Sequence, residues 1–206
     1  MVPALATCRS LLLSEEDPLA MSAPHLQFSK VQQAQFEADG FLRLGKLLGL
    51  AHLGLLQERL DSLMLGTTTH AGMSFQLDLG GEPGPGGAPV MAPTTVGLTR
   101  RTLAHRRVND LELDPLFREY VGLEVFSAIT RQYHTGRDVA IYRAFMMNKP
   151  PGQGMHLAWH QDVGAGWGID TQPVITVWLG LDAATKANGA MCALQCTHPT
   201  SARRSR

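Results

Sequence analysis

Near the end of the chain His160 and Asp162 stand two residues apart in the run Trp159, His160, Gln161, Asp162. In extended backbone such residues project to one face while Gln161 turns to the other, so an imidazole nitrogen and a carboxylate oxygen can reach one point. Joined by a second His from elsewhere, they make the facial triad that holds non-haem Fe(II) and leaves coordination positions open for a co-substrate and molecular oxygen. The spacing alone is a weak signal, because a chain with eight His supplies such pairs by chance.

The elements that would position this pair can be read from capping and periodicity. Ser29 caps a helix expected over Lys30–Asp39, with Val31, Ala34, Gln35 and Ala38 along one face and Gly40 at its end. A short extended segment, 41–44, follows. Leu53, Leu56, Leu60, Leu63 and Met64 recur at helical spacing and predict a second helix ending near Gly66. Asp114 and Pro115 read as the cap and first position of a third helix, 115–132, with Leu116, Tyr120, Leu123, Phe126 and Ile129 as its apolar face. The Gly- and Pro-rich stretch 80–93 can only be a loop, read as a flexible surface insertion, with a lid over a site as the alternative. After Gly136 the texture turns strand-like, over 139–147, 173–182 and 191–196. Helices first and strands second is α+β organisation.

Composition limits the function classes. The chain of 206 residues is one domain in size. Eighteen basic residues balance eighteen acidic ones, which argues against a nucleic-acid partner, and no apolar run is long enough to span a bilayer, which argues against a membrane one. The local cluster Arg100, Arg101, His105, Arg106, Arg107 reads as a solvated face, with anchoring of an anionic substrate or co-substrate as the alternative. Three cysteines without framework spacing, and acidic residues where a signal peptide would be cleaved, favour a reducing, cytoplasmic setting. Trp178, on an apolar segment, reads by itself as a core aromatic.

The wider context is more specific. Phe145, Met146, Met147, Asn148, Lys149, Pro150, Pro151, Gly152, then Trp159 to Asp162, then 176–182 and Asn188, Gly189 resemble the phytanoyl-CoA dioxygenase family. Phe36, Asp39, Gly40, Phe41 resemble its N-terminal helix, and the likeness covers residues 30 to 198. The resemblance implies N-terminal helices packed on a double-stranded β-helix, a jelly roll, over 29–198, after an extension (1–28) and before a polar tail (199–206). It implies an Fe(II)- and 2-oxoglutarate-dependent oxygenase that hydroxylates a small organic or lipid-derived substrate, yielding succinate and carbon dioxide. By the same resemblance His160 and Asp162 bind the iron, Trp178 lies beside 2-oxoglutarate, and Gln161 contacts it. Phe145 stands where the family often has Met, and Arg107 or Arg101 supplies a basic residue upstream.

The ending departs from the pattern. Cys196, Thr197, His198 resemble a Gly-Thr-His turn with Cys in place of Gly, and that His is not the family's distal iron ligand. Only 44 residues follow Asp162 (206 − 162), fewer than the roughly 50 that six further strands and their connections need. The expectation is therefore a truncated domain lacking the distal His and the co-substrate Arg, inactive as it stands, with a non-catalytic binding or interaction domain as the alternative reading.

Overall fold

The structure is a computed structural model that describes residues 29–80, 90–134, 138–152, 160 and 175–193. The first helix, α1 (Lys30–Asp39), begins and ends where its capping residues predict. Ser29 Oγ accepts from the Gln32 amide at 3.2 Å while Gln32 Oε1 accepts from the Ser29 amide at 3.0 Å. Gly40, at φ 79°, closes it. The packed face differs from the expected one: Val31, Ala34, Gln35 and Ala38 are exposed, whereas Gln32, Gln33, Phe36 and Asp39 are half-buried. Phe36 sets this rotation by meeting Tyr133 edge-on, 5.2 Å between ring centroids, because one aromatic ring buries more apolar area than the alanine methyls opposite. Segment 41–44 is not a strand. Its Leu42 and Leu44 pack against a small cluster of Val125, Phe126 and Ile129.

Helix α2 (Leu50–Leu65) inserts Leu56, Leu60, Leu63 and Met64 into the main core and stops at Gly66. The single helix expected over 115–132 is two, α3 (Pro115–Val121) and α4 (Glu124–Tyr133), separated where Leu123 turns to ψ 135°. Phe117 belongs to the main core and Phe126 to the second cluster, with Tyr120 touching both. On one continuous helix those two rings would point to opposite sides, about 180° apart, so the break lets both face inward.

Four strands, β1 (Ser74–Leu77), β2 (Thr95–Val96), β3 (His105–Asn109) and β4 (Phe145–Met147), form one antiparallel sheet in the order β2-β1-β3-β4. The mixture of helices and antiparallel sheet is compatible with an α+β fold, but the expected split into a helical half and a sheet half is corrected. Three of the strands lie between α2 and α3. The strand expected over 139–147 is reduced to β4, and residues 175–182 and 191–193 carry no strand. Val177, Trp178 and Met191 are exposed there while Leu179 and Leu181 pack against the core, so the apolar pattern reports packing without strand pairing. The core row of the sheet is Phe75, Val108 and Met146, register partners across three strands and all buried against α2 and Phe117.

Candidate functional site

Alternation along the same strands builds the opposite face. Ser74 pairs with Asn109 and Asn109 with Phe145; Gln76 pairs with Arg107 and Arg107 with Met147. Arg107 and Phe145 are therefore diagonal neighbours on one face, and the Arg107 guanidinium carbon lies 4.1 Å from the Phe145 ring centroid. Arg143 approaches the same ring at 5.5 Å. Between Gln76 and Leu77 the register slips, so that Leu77 pairs with His105 and Arg106 has no residue opposite it. Such a bulge re-aims a side chain. Arg106 Nη1 donates to Gln76 Oε1 at 2.9 Å and to Met91 Sδ, and Gln76 Nε2 in turn donates to the Ala92 carbonyl at 2.7 Å. Ser74, Gln76 and Arg106 are all buried, an unusual density of polar groups for one sheet face.

The basic cluster is thus corrected from a solvated face: Arg100 and Arg101 are exposed, but His105 and Arg106 are buried and Arg107 half-buried. Three consecutive residues that read as charge, His105 to Arg107, are the start of strand β3. The end of the Gly/Pro stretch is not a free surface insertion either, since Ala92 is buried and bonded to Gln76.

The motif after β4 fastens this face. The Asn148 amide donates to the Arg106 carbonyl at 2.8 Å, and its side chain donates to the carbonyls of Leu103 and His105. Lys149 Nζ donates to the Gly189 carbonyl at 2.8 Å, tying the motif to the Asn-Gly turn 40 residues on. There Thr185 and Asn188 cap a short 3-10 turn reciprocally and Gly189 takes φ 85°. Leu179 and Leu181 pack on the main core, and Gln57 of α2 donates to the Leu181 carbonyl and to Asp182, each at 2.8 Å. Trp178, just before them, is 53% exposed rather than a core aromatic.

His160 is exposed and in no regular element. Gln161 and Asp162 lie outside the described residues, as do Cys196 and His198; Cys192 is exposed and lies in no strand. Imidazole nitrogen and carboxylate oxygen are donors that suit Fe(II), so the chemistry of the pair fits that ion. Among the described residues no three His, Cys, Asp or Glu side chains converge.

A second buried constellation escaped the reading of the sequence. Asp114, taken there only as a helix cap, is fully buried. Its Oδ1 accepts from the amides of Leu116 and Phe117, while Oδ2 accepts from Arg59 Nη1 at 2.8 Å and meets His70 Nε2 at 2.7 Å. Burial alone would raise this carboxyl's pKa, but the bonds from Arg59, His70 and the Phe117 amide outweigh it and hold the group below its usual range. The guanidinium already occupies the oxygen a cation would need, so the pair is a fastening of α2 to α3 and not a metal site. His105 is also buried; its Nδ1 is 2.7 Å from the Thr102 carbonyl, and Nε2 has no partner. Burial lowers its pKa, with the Thr102 bond opposing.

No helix among the described residues is long and apolar enough to cross a membrane. Comparison with curated proteins found no match, and comparison with solved structures found none. The profile of the family described as Phytanoyl-CoA dioxygenase (PhyH) matches residues 36–205. That span takes in the last turn of α1, the polar sheet face, the Asn148 motif and the His160 pair, and the chain accordingly belongs to the phytanoyl-CoA dioxygenase family, a family of Fe(II)/2-oxoglutarate-type oxygenases.

Proposed function

We propose that the protein, in its full-length form, is an Fe(II)- and 2-oxoglutarate-dependent oxygenase that hydroxylates a small organic or lipid-derived substrate on a jelly-roll scaffold. The observation that carries this reading is the convergence of Arg107 and Phe145 on one polar sheet face. The family resemblance nominated each separately, and they lie far apart in the chain. Arg101, the other basic candidate, is exposed beside Gly66 and in no strand, which favours Arg107.

His160 and Asp162 would hold the iron, two of the three protein ligands of a facial triad. When bound, the metal couples oxidative decarboxylation of the co-substrate to hydroxylation of an unactivated C–H bond. The chain's own residues then bind and orient. Arg107 offers a planar cation to a co-substrate carboxylate, and the Phe145 ring beneath it keeps the guanidinium in one plane and excludes water from that side. Gln161 and Trp178 would add co-substrate contacts on the metal side. Lys149 and Asn148, by joining β4 to β3 and to the Gly189 turn, fix the edge on which Phe145 sits.

The test is succinate formation from 2-oxoglutarate by the full-length protein. Turnover should require Fe(II) and oxygen, and Arg107→Ala should raise KM for 2-oxoglutarate by about tenfold or more with a smaller change in kcat. Succinate formation that persists in excess chelator, or an Arg107→Ala enzyme with unchanged KM, would overturn the reading.

A further inference from the structure

The bulge in β3 leaves a charge that the fold does not balance. Arg106 is 7% exposed, and both of its hydrogen-bond partners, Gln76 Oε1 and Met91 Sδ, are neutral. The ion pairs among the described residues are those of Asp114 with Arg59 and His70, so no described carboxylate lies within salt-bridge distance of this guanidinium. Burying a cation without a counter-charge is costly, and proteins that retain one generally supply the anion from elsewhere. Only Nη1 is engaged. Nε and Nη2 have no acceptor among the described residues, and neither is among the sealed nitrogens that lack a partner, so each keeps an opening to solvent. These two atoms form the edge of the guanidinium that grips a carboxylate through two parallel bonds.

We propose that Arg106, held in place by Gln76, is a binding residue for a carboxylate group of a small organic acid, forming with the neighbouring Arg107 a two-guanidinium anion site on the polar sheet face. The bulge is what makes the site. In an unbroken strand consecutive residues point to opposite faces, whereas the slip at Gln76 and Leu77 lets Arg106 reach Gln76, the register partner of Arg107. Gln76 fixes the guanidinium rotation because its own amide is anchored on the Ala92 carbonyl, so the fork is pre-organised before any ligand arrives. The oxygenase reading enters only in naming which acid: 2-oxoglutarate if the site serves the co-substrate, another acid if it serves the molecule to be hydroxylated.

The experiment is calorimetric titration of the chain with 2-oxoglutarate and with succinate, in chelator so that no metal contributes, for wild type, Arg106→Gln and Arg106→Lys. Wild type should bind at least one of the two acids, Arg106→Gln should weaken that binding by about tenfold or more, and Arg106→Lys, which keeps charge without the fork, should fall between. Thermal unfolding without ligand checks that the variants fold. Should Arg106→Gln fail to do so, Arg106→Lys decides alone, with a loss of about threefold or more as the supporting result. Binding of succinate but not 2-oxoglutarate would keep Arg106 as a carboxylate anchor while removing it from the co-substrate. Binding of neither acid to wild type, or equal binding by wild type and a folded variant, would overturn the proposal.

Discussion

Replacing Asp114 should expose how much of the helical layer hangs on one buried carboxylate. Its N-cap bonds to α3 are worth about 1 kcal/mol. The ion pair with Arg59, whose side chain is 35% exposed, adds about 1 kcal/mol after solvent screening. The contact with His70 adds about 1 kcal/mol more. Asp114→Ala should therefore cost about 3 kcal/mol, read as a drop in the urea midpoint at pH 7 with unchanged slope. Asp114→Asn keeps the cap but turns an amide donor toward Arg59 and His70, and should cost about 1 to 2 kcal/mol. The pH dependence follows from the lowered pKa. The ionised group's contribution is complete above its unfolded pKa of about 3.9 and is lost as the pH falls through the lower folded value. Asp114→Asn should flatten the acid limb of the stability curve in that window. A loss under 1 kcal/mol for Asp114→Ala, or an acid limb identical in wild type and Asp114→Asn, would refute the reasoning.

His105 carries a second pH signature of the same sign: the unfolded chain takes up its proton near pH 6.5 and the buried ring only at lower pH, so stability should fall as pH drops from about 6.5 through the lowered pKa. His105→Phe should remove that slope in unfolding curves taken at successive pH values. Gly66→Ala should destabilise by about 1 to 2 kcal/mol in the same assay, because φ is 73° and the added Cβ would stand 2.7 Å from Leu98 Cδ2. Leu63→Ala, at a fully buried position, should cost about 3 to 4 kcal/mol, measurable by thermal or denaturant unfolding.

Elements defined by local chemistry were legible from the residues alone. Ser29 with Gln32 and Gly40 bounded α1, the leucine spacing with Gly66 bounded α2, and Asp114 with Pro115 began α3. Elements defined by tertiary pairing were not. His105 to Asn109 reads as a basic patch because its partners, β1 and β4, lie some 30 and 40 residues away, and β1 itself is only four residues long. The visible signal was the apolar positions Phe75 and Val108, each between polar neighbours, and the short apolar run Phe145 to Met147. The break at Gly122 and Leu123 was hidden because helical periodicity continues across it, and only the existence of two core clusters explains it. At the candidate site, the family likeness nominated Phe145 and offered two arginines, and only the strand register shows that Arg107 lies beside Phe145. Arg106 was visible only as one member of the basic cluster, and its pairing with Gln76 had no sequence signature, since a bulge is a property of two strands together.

The central claim is that His160 and Asp162 are iron ligands, and metal analysis of the full-length protein tests it most directly. Wild type loaded anaerobically with Fe(II) and freed of excess should retain one iron per chain, while His160→Ala and Asp162→Ala, confirmed folded by their unfolding transitions, should each lose tight binding by about 10-fold or more. Iron content and affinity unchanged in both variants would contradict the account.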